Sequence, residues 1–224
     1  MSTSGAMRFS CKNLRVTVPG RKLVGDLNLD AVGGVLIAVL GQNGSGKSMT
    51  MHTLAGLRGP EAGNVVLNGM NVATAPRQQT AKQLALLPQH IDDVFPTTVL
   101  DTAMIGRHPH IGRFNWESDH DFSVARASLR SVGLEELAGR DVLTLSGGER
   151  RRLGIAQVLP QEPGVYLLGE PAHQLEPQQQ LDALHDFRSQ AHAGAIVEER
   201  VHHVSLAVCS AQLFRLHYAD DGGE

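Results

Sequence analysis

The stretch that decides the fold is Gly41-Gln42-Asn43-Gly44-Ser45-Gly46-Lys47-Ser48. It fits the pattern G-x-x-x-x-G-K-[ST], which is typical of a loop that binds phosphate groups. An apolar run at residues 35–40 precedes it and predicts a buried parallel strand. Behind it, Met51, Leu54 and Ala55 share one face of a predicted helix that ends near Gly56. Strand, glycine loop and helix follow one another in the order that a phosphate site needs.

The chemistry of this loop explains its residue types. Glycines let successive backbone N–H groups converge on a phosphate, and the helix N-terminus adds the positive end of its dipole. We expect Lys47 to contact the β- and γ-phosphates and the Ser48 hydroxyl to bind Mg²⁺. The alternative is an ordinary glycine-rich turn, which would require neither side chain. We therefore interpret the stretch as a nucleoside triphosphate site.

Length and composition restrict the class of protein. The chain has 224 residues, enough for one large α/β domain. Its net charge of -3 disfavours a nucleic-acid partner, because chains that depend on nucleic acid are more often basic. No apolar run approaches the ~20 residues that span a bilayer, and residues 1–6 do not resemble a signal peptide. Cys11 and Cys209 lack metal-ligand spacing and fit a reducing cytosol.

Short hydrophobic segments on both sides of the loop predict further strands. Residues 9–30 predict an antiparallel β-region, with breaks at Pro19-Gly20 and at Gly25-Asp26. Residues 65–67 predict a strand, and Asn68-Gly69 predicts the turn that follows it. Three more strands are predicted at 84–87, at 164–168 and from residue 195.

A helical pattern occupies residues 97–140, where a second helix is predicted from about Asp119 to Val132. Residues 107–114 are predicted to form an exposed loop. We expect one domain over residues 1–224, in which a helical lobe of about residues 90–162 is inserted in the α/β core.

A second glycine motif follows: Leu145-Ser146-Gly147-Gly148-Glu149. Ser146 and Glu149 predict a capping box that opens a helix, and Pro160 is expected to stop that helix. Gly147 and Gly148 are poor helix formers and leave backbone N–H groups open, so this helix N-terminus is a second candidate phosphate site. One nucleotide cannot easily use two such sites on one chain. We therefore infer that two chains share it.

Two polar residues come directly after predicted buried strands. Gln89 follows residues 84–87 by way of Pro88, and Glu170 follows a strand that ends at Gly169. Ligand sites gather at the carboxyl ends of strands in doubly wound sheets. Gln89 is therefore a candidate contact for a nucleotide-bound metal, and Glu170 is a candidate general base. A loop-capping glutamine and an ordinary charged loop residue are the alternatives.

With these motifs in place, the chain resembles the ATP-binding subunit of an ABC transporter over nearly its whole length. Residues 41–48 match the Walker A motif, residues 145–149 match the signature motif, and residues 167–171 lie where Walker B belongs. Gln89 matches the Q-loop, and His202 matches the switch histidine.

Another stretch narrows the resemblance. Gly106-Arg107-His108-Pro109-His110 is similar to the G-R-x-P-H stretch of importer ATPases for iron chelates, haem and cobalamin. The resemblance implies a P-loop NTPase core, with a mostly parallel sheet flanked by helices, an N-terminal antiparallel β-region and an inserted helical lobe. It further implies a subunit at the cytoplasmic face of the inner membrane.

In this family two cassettes pair head to tail, as a homodimer or as two paired cassettes, and ATP and Mg²⁺ lie between them. The implied partners are transmembrane permease subunits and, indirectly, a periplasmic binding protein, with no nucleic acid. Glu170, His202 and Gln89 would be the catalytic residues, and Ser48 and Gln89 would hold the metal. The nucleotide contacts would be Gly41, Gln42, Asn43, Gly44, Ser45, Gly46, Lys47, Ser48 and Met49, with Ser146, Gly147, Gly148 and Glu149 supplied across the pair.

The chain departs from the family pattern at its site. Gly169 stands where relatives carry the Asp that holds Mg²⁺ through water, and Glu176 replaces the Asp of the D-loop. The remaining departures are Met49 for a threonine, His203 for an aspartate, and Val18 or Pro19 near the expected adenine-stacking aromatic. The chain also stops soon after residue 222, where relatives continue, which suggests a truncated end.

Two hypotheses therefore remain open. The first is a MgATP-hydrolysing subunit that drives uptake of a metal chelate. The second is a regulatory or degenerate subunit that binds ATP and dimerises but hydrolyses poorly, because Gly169 and Glu176 replace acidic residues of the family pattern. A soluble ABC protein that acts on DNA or ribosomes is disfavoured, since the chain has one cassette and no basic surplus.

Overall fold

The architecture comes from a computed structural model. The structure describes residues 7–32, 35–41, 45–88, 96–112, 114–169, 196–201 and 204–210. Two β-sheets and a group of helices account for most of these residues.

The first sheet is the predicted antiparallel region. Its strands are β1 (Arg8–Val18), β2 (Arg21–Val32), β4 (Ala62–Leu67) and β5 (Met70–Asn71), in the order β2-β1-β4-β5. The turn at Pro19-Gly20 separates β1 from β2, as predicted. The turn at Asn68-Gly69 is also confirmed: both residues have positive φ, 48° and 81°, as hairpin turns of this kind require.

The predicted break at Gly25-Asp26 is wrong, because β2 continues through both residues. Asp26 has a φ of 57°, and the register with β1 shifts there: Leu14 lies opposite Leu27 while Val16 lies opposite Val24. Three residue steps on one strand thus face two on the other. A β-bulge therefore absorbs the turn-forming residues without ending the strand.

The second sheet carries the predicted central strand. Its strands are β3 (Val35–Gly41), β6 (Leu84–Leu87), β7 (Val165–Gly169), β8 (Ile196–Val201) and β9 (Val204–Ser210), in the order β6-β7-β3-β9-β8. Strands β6, β7 and β3 are parallel, whereas β9 pairs antiparallel with both β3 and β8. The strands predicted from hydrophobic runs are all present.

The longer helices are α1 (Lys47–Leu54), α3 (Val99–Met104), α4 (Asp119–Ser131) and α5 (Gly147–Val158), and α2 is the short helix Arg77–Ala81. Among the described residues, none of these helices has the length and apolar character needed to cross a membrane. α4 and α5 begin and end close to the predicted positions. Phe122 of α4 is 38% exposed, whereas Ala125 and Leu129 of the same helix are fully buried.

Most of the buried apolar residues in the described part of the chain belong to one of two clusters. One joins the antiparallel sheet to α1 and to β6 and β7, and includes Leu14, Leu27, Leu54, Leu67 and Leu167. The other lies among α3, α4 and α5, and includes Val99, Ala103, Leu129, Leu153 and Ala156. Shortening a fully buried leucine in either cluster costs about 2–5 kcal/mol. The second cluster lies inside the helical lobe predicted at about 90–162, whose boundaries stay a prediction.

One part of the predicted exposed loop 107–114 is buried. Arg107 is 4% exposed, and its Nε donates to Asp121 Oδ1 at 2.9 Å. Its Nη1 donates to the Pro160 carbonyl at 2.7 Å and to Glu162 Oε2 at 2.9 Å. Charge alone suggested a solvated arginine, but three acceptors from distant segments compensate its desolvation.

Candidate nucleotide site

The described part of the phosphate loop begins α1. Gly46 precedes the helix with φ 100° and ψ 13°, in the left-handed region. Its carbonyl accepts from Thr50 N at 2.9 Å and from Thr50 Oγ1 at 3.1 Å, which starts the helix. A Cβ atom at position 46 would lie 2.7 Å from Leu23 Cδ1. Both the backbone angle and the close contact therefore require glycine.

The polar groups beside Gly46 fit an anionic ligand. Ser45 is 4% exposed, and its Oγ atom has no hydrogen-bond partner among the described residues. Lys47 is 5% exposed, whereas Ser48 is exposed in the first turn of α1. That turn contains no acidic residue, so no carboxylate of the turn itself offsets the positive end of the helix dipole. A buried hydroxyl that lacks a partner normally has one in the functional state, and a phosphate oxygen would satisfy it.

The rest of the loop is only partly described. Gly41 is the last residue of β3, and its backbone pairs with Val204 of β9. Gln42, Asn43 and Gly44 lie outside the described residues. Met49, which stands in place of the family's threonine, is 37% exposed on α1.

Three predicted catalytic residues, Gln89, Glu170 and His202, lie outside the described residues. The strands beside them are described, however. In the parallel part of the sheet, Leu87 of β6 pairs with Leu168 of β7, and Gly169 pairs with Val39 of β3.

Strands β6, β7 and β3 therefore end at one edge of the sheet, and the phosphate loop leaves from that edge. Val204, the first residue of β9, joins it by pairing with Gly41. Ligands bind outside the carboxyl ends of strands in sheets of this kind.

The second glycine motif forms the predicted cap of α5. Ser146 Oγ accepts from Glu149 N at 3.3 Å, and Ser146 N donates to Glu149 Oε2 at 2.7 Å. The backbone N–H of Ser146 is the main cause that lowers the pKa of the Glu149 carboxyl. In the described part of the chain, no heavy atom outside the helix's own backbone and the neighbouring residues would lie within 4 Å of a Cβ atom at Gly147 or Gly148. The Glu149 carboxylate is thus engaged in the capping box, while Gly147 and Gly148 leave the helix N-terminus open.

Arg151 is a buried charged residue that the sequence pattern did not single out. It is the middle one of three consecutive arginines, and it is 6% exposed. Its Nη1 donates to the Pro88 carbonyl at 3.2 Å, next to Gln89. No sequence signal distinguishes it from Arg150, which donates to the carbonyl of Leu143 at 3.2 Å.

The departures from the family pattern can be located in part. Gly169 is the last residue of β7, so at this position the strand carries no carboxylate. Val18 packs partly buried against the first hydrophobic cluster, and Pro19 is exposed in the β1–β2 turn. Glu176 and His203 lie outside the described residues.

Comparison with known sequences gives a consistent result. The sequence model of the ABC transporter family matches residues 24–173. The hemin import ATP-binding protein of Gloeobacter violaceus is 36% identical over 214 residues, which cover 92% of this chain and 76% of the relative. The iron(3+)-hydroxamate import ATP-binding protein of Bacillus subtilis is 35% identical over 79% of this chain and 68% of its own length. For the cobalamin import ATP-binding protein of Halobacterium salinarum the identity is 33%, and the chain spans 50% of that relative.

Solved structures agree with this. A metal-chelate type ABC transporter in an inward-facing conformation matches with a TM-score of 0.67 and 31% identity, over 83% of this chain and 68% of that one. An ATP-binding subunit of an ABC transporter matches with a TM-score of 0.68 over 82% of this chain and 75% of that one, and its 22% identity supports the fold alone. The predicted α/β fold with a P-loop NTPase core is confirmed. The chain belongs to the ABC transporter family, as an ATP-binding domain homologous to the hemin, cobalamin and siderophore import ATPases.

Proposed function

We propose that this chain hydrolyses MgATP at a site shared between two paired cassettes, and that it thereby drives uptake of a metal chelate such as an iron-siderophore, haem or cobalamin. The observation that carries the proposal is the pair of open helix N-termini. Just before α1, the buried Ser45 hydroxyl has no hydrogen-bond partner among the described residues, and at the start of α5, no described atom lies within 4 Å of a Cβ position at Gly147 or Gly148. Both are suited to phosphate oxygens.

In this proposal each residue of the loop has one task. Lys47 neutralises the β- and γ-phosphates, and the N–H groups before α1 hold their oxygens. Ser48, exposed in the first turn of α1, and Gln89 hold Mg²⁺, which when bound offsets charge on the phosphates. Glu170 takes a proton from the attacking water, and His202 donates a hydrogen bond to the γ-phosphate.

The paired arrangement follows from the second glycine motif. Ser146, Gly147 and Gly148 of one chain would contact the γ-phosphate of ATP held by the loop of the other chain. In this head-to-tail arrangement, both shared sites are complete only when each chain carries ATP in its phosphate loop. Pairing should therefore depend on ATP.

The partners and location come from the relatives' names. Proteins named as hemin, cobalamin and iron-hydroxamate import ATPases suggest that this chain docks on transmembrane permease subunits at the cytoplasmic face of the inner membrane. A periplasmic binding protein would then deliver the chelate from the other side. Co-purification of this chain with a permease tests this part.

A second candidate function is a regulatory or degenerate subunit that binds ATP and hydrolyses it poorly. Gly169 favours it, because β7 delivers no carboxylate where relatives hold the metal through water. Binding and pairing would survive in this case, and turnover would not.

One set of measurements separates the two functions. MgATP affinity is measured by calorimetry for the unmodified chain, for Lys47→Ala and for the exposed-lysine control Lys82→Ala. Loss of a charged contact should weaken binding about 10–100-fold in Lys47→Ala alone. Equal affinity in all three proteins contradicts the placement of the site. Phosphate release by the unmodified chain then distinguishes the active from the impaired subunit.

Pairing is tested with Glu170→Gln, which should slow hydrolysis and trap an ATP-dependent dimer visible by light scattering. Ser146→Arg in the same background should abolish that dimer by crowding the phosphate. A dimer that forms equally well without nucleotide contradicts the shared site.

A further inference from the structure

Helix α5 is attached to strand β6 at both of its ends. Near its start, Arg151 Nη1 donates to the carbonyl of Pro88, the residue that follows β6, at 3.2 Å. Just beyond its end, Gln161 Nε2 donates to the carbonyl of Leu84, the first residue of β6, at 2.7 Å. The same Nε2 atom also donates to the Ala81 carbonyl.

The lengths of the two elements agree with this double attachment. Four residue steps from Leu84 to Pro88 span about 13 Å in a strand. Ten residue steps from Arg151 to Gln161 span about 15 Å in a helix. α5 therefore runs antiparallel alongside β6, and its two polar contacts lie at matching ends.

The contact at Pro88 joins two regions that the proposed function uses. Ser146 is five residues before Arg151, which is about 7.5 Å along a helix. Gln89 comes directly after Pro88. The hydrogen bond therefore ties the signature end of α5 to Pro88, which directly follows β6.

The strand at the other side of this contact is part of the central sheet. Leu86 of β6 pairs with Leu167 of β7, which pairs with Ile37 of β3, the strand that leads into the phosphate loop. A continuous hydrogen-bonded path thus runs from the phosphate-loop strand to the signature helix. The Arg151–Pro88 bond is a polar link between the carboxyl end of β6 and the start of this helix.

We propose that Arg151 is a positioning residue that fixes the Ser146 end of α5 to Pro88 at the carboxyl end of β6, so that ATP-dependent pairing of two cassettes requires it. This inference rests on the proposed shared site. Arg151 does not touch the nucleotide in this account. It acts through the position of Ser146, and its effect is on pairing rather than on ATP binding by one chain.

The experiment compares Arg151→Met, Arg151→Lys and the control Arg130→Met, all in the Glu170→Gln background. Arg130 makes an exposed ion pair with Glu135 at the end of α4, remote in sequence from both motifs. ATP affinity is measured by calorimetry at dilute protein, pairing by light scattering, and folding by thermal unfolding.

Arg151→Met should keep the ATP affinity of the single chain and pair about 10–100-fold more weakly, the range of one hydrogen bond from a charged donor. Arg151→Lys keeps a charged donor and should recover part of the pairing. Arg130→Met should pair like the background protein. If Arg151→Met pairs as strongly as the Glu170→Gln background protein, the inference is overturned. It is also overturned if Arg151→Met loses ATP affinity and thermal stability together with pairing.

Hydrogen exchange decides the inference even if the background protein does not pair, a result that would count against the proposed function alone. Peptides that cover residues 84–90 and 146–152 should both exchange faster in Arg151→Met than in the background protein. Unchanged exchange in both peptides overturns the tie between the two segments.

Discussion

Leu23 of β2 lies directly against Gly46 of the phosphate loop. A Cβ atom at position 46 would come 2.7 Å from Leu23 Cδ1 and 2.9 Å from Cδ2. The antiparallel sheet therefore supports the loop through one leucine, at the point where the backbone turns into α1.

Gly46→Ala should lower both stability and ATP affinity. A side chain at φ 100° is strained, and its Cβ would also collide with Leu23. We expect a loss of about 1–3 kcal/mol in the free energy of unfolding, measured with urea. Gly133→Ala is the control, because Gly133 also has positive φ, 68°, but no atom of the described residues lies within 4 Å of its Cβ position. A Gly46→Ala protein as stable as Gly133→Ala would mean that Leu23 moves aside freely.

Gly147→Ala and Gly148→Ala should stabilise the single chain and weaken pairing. A Cβ atom at either position meets no described atom within 4 Å, and alanine favours a helix over glycine by about 1 kcal/mol. The added methyl groups would, however, stand where a phosphate of the partner's nucleotide is expected. Urea unfolding should give a higher midpoint, while light scattering with ATP should give less dimer. A gain in stability without any loss of pairing would show that the glycines do not face a shared phosphate.

Gly169→Asp should raise ATP turnover and lower the Mg²⁺ concentration needed for it. Outer-shell partners of a metal are typically worth about 10–100-fold in affinity or activity, which corresponds to about 1.4–2.7 kcal/mol. The backbone of Gly169 pairs with Val39 of β3, the strand that leads into the phosphate loop, so an aspartate at position 169 would stand at the end of β7 next to that strand. Circular dichroism checks that the fold is intact. Turnover by the unmodified chain at ordinary Mg²⁺ that equals an intact relative would contradict this prediction.

The ionised Asp121 carboxylate should stabilise the fold, so that the free energy of unfolding falls when the solution is acidified. The Ser118 hydroxyl donates to Asp121 Oδ2 at 2.6 Å, and Arg107 Nε donates to Asp121 Oδ1 at 2.9 Å. The hydrogen bonds from Ser118, and after them the one from Arg107, lower the pKa of the Asp121 carboxyl below its ordinary 3.8. Because the folded-state pKa is depressed, the contribution is present above pH ~4 and is lost as pH falls below that value.

In Asp121→Asn, the free energy of unfolding should therefore fall less steeply as the pH is lowered below about 4. The substitution should also cost about 3 kcal/mol at pH 7, since it removes one partner of a buried pair. Asp119→Asn, at an exposed position in the first turn of the same helix, should cost less than about 1 kcal/mol. Urea unfolding of both variants from pH 3 to pH 7 measures this. If Asp121→Asn loses as much unfolding free energy at low pH as the unmodified chain does, the acid sensitivity comes from other carboxyl groups.

Several local features could be predicted from the sequence because their partners are neighbours along the chain. The Ser146–Glu149 capping box spans three residues, and the Asn68-Gly69 turn depends on two. The strand, loop and helix around Gly46 follow from hydrophobic periodicity and glycine placement. The family motifs extended this to Gln89, Glu170 and His202, whose roles stay predictions.

Tertiary structure alone decided which charged residues are buried and what they hold. Arg107 reads as a loop residue in the sequence, yet Asp121, Pro160 and Glu162, up to 55 residues away, enclose its guanidinium. Arg151 reaches the Pro88 carbonyl across 63 residues. A local pattern reports propensity and periodicity, whereas burial of a charge depends on acceptors that only the packed chain brings together. Sequence by itself therefore determined the phosphate loop and the family, and the packing of α5 on β6 determined how the signature helix is held.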